Sequence, residues 1–150
     1  MAEVPESFFQ RVVVPVANRD DAAATADALA PYGEESDATV IAVHVIETAG
    51  GVPDKASVEQ RERTAKDIFD VLENGFEDDA VTLETDLRYG TDVAATIIDA
   101  AHDWNASAIA FTPRGGSRWG KLLSGDVTHK LVETSDVPVL VLPDRGVSDA

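Results

Sequence analysis

Three histidines, a set of paired acids and one glycine-containing stretch are the places where this chain could do chemistry. Histidine titrates near neutrality, so His44, His102 and His129 are the candidate proton carriers. His44 falls between Val43 and Val45 in an apolar run and reads as a structural histidine of a strand. His102 stands beside Asp99 and Asp103 on the polar side of a helix and reads as solvated. No Gly-x-Ser-x-Gly occurs, and no Ser-His-Asp set falls on elbow-like turns. There is no cysteine, which removes thiolate nucleophiles, thiolate metal sites and a disulfide framework. No His-x-x-x-His or comparable spacing suggests a metal centre. The acid pairs Asp20–Asp21 and Asp78–Asp79 read as solvated helix and loop ends. No catalytic residue and no metal site is expected, and the chain is not expected to be an enzyme.

The glycine-containing stretch runs from Thr112 through Arg114, Gly115, Gly116, Arg118 and Gly120 to Lys121. Gly115, Gly120 and Lys121 meet most of a P-loop spacing, but Leu122 stands where a hydroxyl must hold magnesium. The stretch also follows the fourth strand rather than an early one, and the first loop, Val16-Ala17-Asn18-Arg19, lacks Gly-x-Gly-x-x-Gly. A P-loop or dinucleotide fold is therefore not expected. Arg114, Arg118 and Lys121 have no acid between them and make a basic island in an acidic chain. Two roles stay open for it: binding an anion or nucleotide phosphates, or pairing with surrounding acids or a partner.

The elements that must position these residues follow from hydrophobic periodicity. Phe8 to Val16 reads as a buried strand, with Pro15 at its end where a missing N–H is tolerated. Asp20–Asp21 open a helix to about Tyr32, stopped by Gly33. Thr39 to Ile46 is the second strand, and a helix follows from Ser57 to Asn74, with Asn74–Gly75 as its C-cap signal. Ala80 to Leu87 alternates as a half-exposed edge strand does. Gly90 turns the chain and Thr91 caps a helix to Trp104. Ser107 to Thr112 is the fourth strand. Gly125–Asp126 leads a last helix carrying Val127, Leu131 and Val132, and Val137 to Leu142 is the fifth strand. Strands alternating with helices imply a parallel sheet covered on both faces. No composition shift marks a second domain, so residues 1–150 are expected to form one.

The net charge of -16 makes nucleic acid a poor partner, because that affinity rests on neutralising phosphates with Lys and Arg. Direct binding to an anionic membrane is disfavoured for the same reason. The acids are dispersed and lysines are few, a composition of the kind met in proteins of salt-loving organisms. In molar salt the Debye length is about 3 Å, which screens the self-repulsion of such a chain. Met1 to Glu6 lacks a basic cluster, and no apolar run approaches the ~18 residues of a membrane span. A cytoplasmic location is expected.

The segment Gly90-Thr-Asp-Val-Ala-Ala-Thr-Ile-Ile-Asp-Ala-Ala through Leu142 resembles the C-terminal half of the universal stress protein family. Val12-Val-Val-Pro-Val and Val40-Ile-Ala-Val-His44-Val45-Ile extend the resemblance over almost the whole chain. It implies an open, Rossmann-like, five-stranded parallel sheet of order 3-2-1-4-5, of the adenine-nucleotide alpha-hydrolase-like kind. It also implies a homodimer, often through the last strand, here Val137 to Leu142. In the nucleotide-binding branch ATP sits where the first and fourth strands part, which is the switch-point rule for such sheets. Carried onto this chain, the site residues are Pro15, Val16, Ala17, Val45, Thr112, Arg114, Gly115, Gly116, Gly125, Asp126, Val127 and Thr128. Val45 matches the position flanking the adenine, and Gly115 and Gly125 match two signature glycines. Three positions depart: Ala17 replaces an Asp, Thr112 replaces the first glycine, and Asp126 replaces the Ser or Thr that binds phosphate. A carboxylate ~4 Å from a phosphate charge costs about 4 kcal/mol at an effective dielectric of 20, roughly three orders of magnitude in affinity. Asp126 also suits a helix start without any ligand.

Two functions follow from the resemblance. One is a non-enzymatic, dimeric stress-response or regulatory module with lost or weakened ATP binding, no cofactor and a regulatory protein partner. The other is an adenine-nucleotide sensor that binds ATP or AMP.

Overall fold

Val12, Val13 and Val14 are completely buried, as a strand covered on both faces requires. They form the centre of β1 (Arg11–Pro15). The computed structural model describes residues 8–36, 38–48, 55–76, 81–112 and 125–142. After β1 come α1 (Arg19–Ser36), β2 (Thr39–Glu47), α2 (Lys55–Gly75) and β3 (Thr82–Gly90). Then follow α3 (Val93–Asp103), β4 (Ala108–Phe111), α4 (Gly125–Thr134) and β5 (Val139–Val141). All pairings are parallel, and the strand order is β3-β2-β1-β4-β5, as expected.

Side-chain alternation along the strands builds two cores. Val12, Val14, Val40 and Ala42 face α1 and α2, where Leu29, Ile68 and Leu72 close the layer. Val13, Ile41, Val43, Ile109 and Phe111 face the other side, where Ile97 of α3 and Leu131 of α4 cover them.

The expected boundaries shift in several places. α1 does not stop at Gly33 but runs to Ser36 through Pro31. Pro31 is exposed, so water can satisfy the carbonyl that loses its helical N–H. β1 and β5 are shorter than expected, each spanning only residues paired with a neighbouring strand. β3 runs on to Gly90, pairing with β2 up to Glu47, so Gly90 ends a strand rather than turning the chain. The cap of α3 is Asp92, not Thr91: its Oδ1 accepts from the Ala95 N–H at 3.1 Å. Val132 lies on the outer side of α4 and is 60% exposed, so only Leu131 and Val127 serve the core.

A polar network ties β3 to the end of α3. Asp86 Oδ2 accepts from Arg88 Nε at 2.8 Å and from the Trp104 indole at 2.7 Å. Arg88 Nη1 donates to Asp103 at 2.9 Å. The Trp104 ring also lies under the Arg11 guanidinium.

Gly90 is fixed by close approach. A Cβ there would collide with Thr96 Oγ1 and lie 3.3 Å from Thr96 Cβ. Thr96 cannot simply yield, since its hydroxyl donates to the Asp92 carbonyl at 2.8 Å. Gly90→Ala should therefore cost about 1–3 kcal/mol of stability, the usual range for overpacking. Urea unfolding in molar KCl checks this; an unchanged midpoint would mean that the α3 start adjusts freely.

Candidate functional site

The strand order places the switch point between β1 and β4, whose chains leave the sheet in opposite directions. The register Val12↔Ala108 and Val13↔Ile109 brings Val16 level with Thr112 three residues further along. Beside it, over the ends of β1 and β2, lies a cleft of about 500 Å³. Small-molecule clefts span about 300–1,000 Å³. Its walls include Ala17 and Asn18 after β1, His44, Val45 and Glu47 of β2, Arg61 of α2 and Val93 of α3.

The β1–α1 turn is tightly determined. Asn18 Oδ1 accepts from the Asp21 N–H at 2.8 Å, and the Asn18 carbonyl accepts from the Ala22 N–H at 2.9 Å. Asn18 is thus the N-cap of α1. Asp21 reaches back, its Oδ2 accepting from the Ala17 N–H at 2.8 Å, in the manner of a capping box. Asp21 is 3% exposed, so the expectation of a solvated carboxylate there is corrected. The spacing Asn18-x-x-Asp21 is the sequence signal for this arrangement.

His44 is half-buried, with Nδ1 2.8 Å from the Val16 carbonyl. Burial pushes its imidazole below the ordinary value, and the bond to Val16 opposes that only in part. The structural part of the sequence expectation holds, since the ring links β2 to β1. It also lines the cleft, which the strand pattern alone did not reveal. At the outer end Arg61 Nη1 donates to the Glu47 carbonyl at 3.2 Å, tying α2 to β2. The remaining histidines are elsewhere: His102 Nε2 lies 2.8 Å from Asp136, and His129 Nε2 lies 3.1 Å from Glu133.

The residues carried over by resemblance fall as follows. Pro15 ends β1 and Val16 is buried beside it, while Ala17 and Val45 meet in the cleft. Thr112 directly follows β4 and is fully buried. Gly125 and Asp126 occupy the first turn of α4, with Val127 and Thr128 partly buried behind them. Arg114, Gly115 and Gly116 lie outside the described residues, as does the side chain of Asp126. The hydroxyls of Thr112 and Thr128 are buried with no partner among the described residues. A buried hydroxyl left unpaired costs about 1–3 kcal/mol, so each calls for a partner beyond the described residues. No group of His, Asp and Glu suited to a metal occurs among the described residues. Nor, among them, is any helix long and apolar enough to cross a membrane.

The model of the universal stress protein family matches residues 8–143. No curated protein matches the sequence. Among solved structures, the universal stress protein from Archaeoglobus fulgidus is 23% identical, with a TM-score of 0.66. The match covers 89% of this chain and 98% of that one. A universal stress protein family member from Burkholderia pseudomallei is 22% identical, with a TM-score of 0.70, over 93% of this chain and 99% of that one. A universal stress protein from Archaeoglobus fulgidus in complex with dAMP is 20% identical, with a TM-score of 0.64. There the cover is 91% of this chain and 99% of the other.

Proposed function

We propose that this chain, which belongs to the universal stress protein family, is a non-enzymatic, homodimeric regulatory module that holds an adenine nucleotide by its nucleoside end. Its grip on a triphosphate is weakened by Asp126. One observation carries the reading: a cleft walled by Ala17 and Val45 lies beside a switch point whose Thr112 hydroxyl is buried and unpartnered among the described residues. The dAMP complex of the related Archaeoglobus fulgidus protein supports the ligand class. Support for a non-enzymatic role comes from the histidines. Each lies by a backbone carbonyl or a carboxylate, as a structural or surface histidine does.

A second reading, a module closed to nucleotide and acting on protein partners alone, draws on the β1–α1 turn. There the Ala17 N–H is already taken by Asp21, in the loop where the nucleotide-binding branch carries an acidic residue. Calorimetric titration in molar KCl separates the two. AMP should bind with a Kd of micromolar order, and ATP with magnesium more weakly. No heat with either nucleotide up to millimolar concentration, on folded protein, would overturn nucleotide binding.

The dimer reading draws on β5, which among the described residues pairs only with β4 and leaves Val141 55% exposed at the sheet edge. Light scattering on the same samples should report twice the 15.9 kDa chain mass; a 15.9 kDa species alone would refute the dimer.

A further inference from the structure

The Val16 carbonyl can only accept, so the His44 nitrogen 2.8 Å away must be the one that carries the hydrogen. That fixes the tautomer: in the neutral ring Nδ1–H donates to Val16, and Nε2 is left as an acceptor. No partner for Nε2 occurs among the described residues, and the ring lines the cleft. Among the other polar groups, Arg61 is a pure donor already turned to the Glu47 carbonyl, and the Asn18 carboxamide oxygen is engaged by the Asp21 N–H. The Glu47 carboxylate and the Thr64 hydroxyl also bring acceptors to the cleft wall. Of these acceptors among the described residues, only the His44 ring is fixed in orientation by a bond to the neighbouring strand end, so a ligand that enters with an N–H or O–H donor meets a preset acceptor there.

We propose that His44 is a specificity-determining residue, whose Nε2 accepts a hydrogen bond from the nucleoside part of the ligand. The proposal rests on the nucleotide reading above and names how that site selects. The donor is either the exocyclic amine of the base or a ribose hydroxyl. Protonation would turn the acceptor into a donor and abolish the match, so binding requires the neutral ring. Burial lowers the proton affinity of His44, which keeps the ring neutral at pH 7. The charged groups around it are Glu47 on its own strand, Arg61 on α2 and Asp21 on α1. β3 places uncharged Leu87 opposite His44, and α3 contributes Val93 to the cleft.

The sign of the pH dependence follows. Affinity is full above the ordinary histidine value of 6.5 and falls as pH drops through the lower value of the folded protein. Below that point the loss levels off near the worth of the hydrogen bond, about 3- to 10-fold. The ligand phosphate titrates nearby, so wild type and variant are compared at each pH and its contribution cancels.

Two variants separate this role from the bond to Val16. His44→Asn retains a donor where Nδ1 stands and loses the acceptor at Nε2; His44→Gln keeps an acceptor near the Nε2 position. AMP titrations should show His44→Asn weakened about 3- to 10-fold, the usual worth of one hydrogen bond, and His44→Gln within about threefold of wild type. On the wild-type protein, long-range proton–nitrogen spectra of the ring should show Nδ1 protonated, and the Nε2 resonance should move when AMP binds. The donor is assigned by analogues. If the wild-type advantage over His44→Asn vanishes with inosine monophosphate, the donor is the amine. If it vanishes with 2′- or 3′-deoxy-AMP, the donor is that hydroxyl. An advantage kept in full with all three, an unmoved Nε2 resonance, or equal AMP binding by both variants and wild type overturns the proposal while leaving nucleotide binding intact. A wild-type protein that binds no AMP overturns both.

Discussion

Asp126→Ser is expected to raise the affinity for ATP by as much as about three orders of magnitude, the largest change a single substitution should make to this site. Asp126 stands in the first turn of α4, where the backbone N–H groups and the helix dipole favour an anion. A carboxylate at a helix start suits the helix dipole without a ligand, and like charge opposes an approaching phosphate. Serine removes the charge and adds a hydroxyl, and Thr128, one residue beyond Val127, brings a second hydroxyl with no partner among the described residues. Screening in molar KCl will shrink the gain if water fills the site, so the titration belongs at both low and molar salt. AMP should gain much less than ATP, because its single phosphate need not reach the α4 end. Adding Ala17→Asp is expected to give little. The Ala17 N–H lies 2.8 Å from the buried Asp21 carboxylate, and a new acid beside it would meet like charge. If ATP binding stays unchanged in Asp126→Ser while the protein remains folded, then Asp126 is not what limits the phosphate end.

What the sequence makes legible here is set by the range of the interactions. The five strands and their order are legible because each carries its own period and the α/β alternation restricts how they connect. Helix ends are less so. Gly33 looks like a stop signal, yet α1 passes through it and through Pro31, because packing of Ala26, Ala28 and Leu29 on the sheet outweighs a local breaker. The cap of α3 falls on Asp92 rather than Thr91 because an aspartate oxygen one residue later reaches the free Ala95 N–H. The placement of Val16, Val45 and Thr112 at neighbouring strand ends follows from the register. His44 and Asp21 were hidden for a shared reason. Each is polar in a place where a local pattern suggests either a core filler or a solvated end, and each takes its role from a backbone group brought to it by the fold, the Val16 carbonyl and the Ala17 N–H.

Phe111→Ala should be the most destabilising single truncation, at about 3–5 kcal/mol. Phe111 is fully buried near the end of β4, in the layer that Ile97 of α3 and Leu131 of α4 close from above. Its strand neighbours restrict any collapse into the hole. The Phe111 carbonyl accepts from the Leu142 N–H at 2.9 Å, and the residue pairs with Val141 across the β4–β5 ladder. The β5 side of the void is therefore held by backbone bonds, and the cavity contribution adds to the lost transfer energy. Since whole domains are stable by only about 5–15 kcal/mol, the loss is a large share of the total. Val141→Ala is the control: it removes apolar bulk from the same ladder, but from a side chain 55% exposed, and should change the midpoint little in the monomer. Urea unfolding of both variants in molar KCl decides the matter. Similar small losses would mean that the α3–α4 layer repacks over β4. A large loss for Phe111→Ala with a concentration-dependent loss for Val141→Ala would locate the first residue in the core and the second in a contact between chains. The phenylalanine also precedes Thr112, whose buried hydroxyl lies at the switch point, so a β4 that sags into the cavity should weaken AMP binding along with stability. A protein that loses stability but keeps its AMP affinity would show instead that the core under β4 and the cleft above it are mechanically separate.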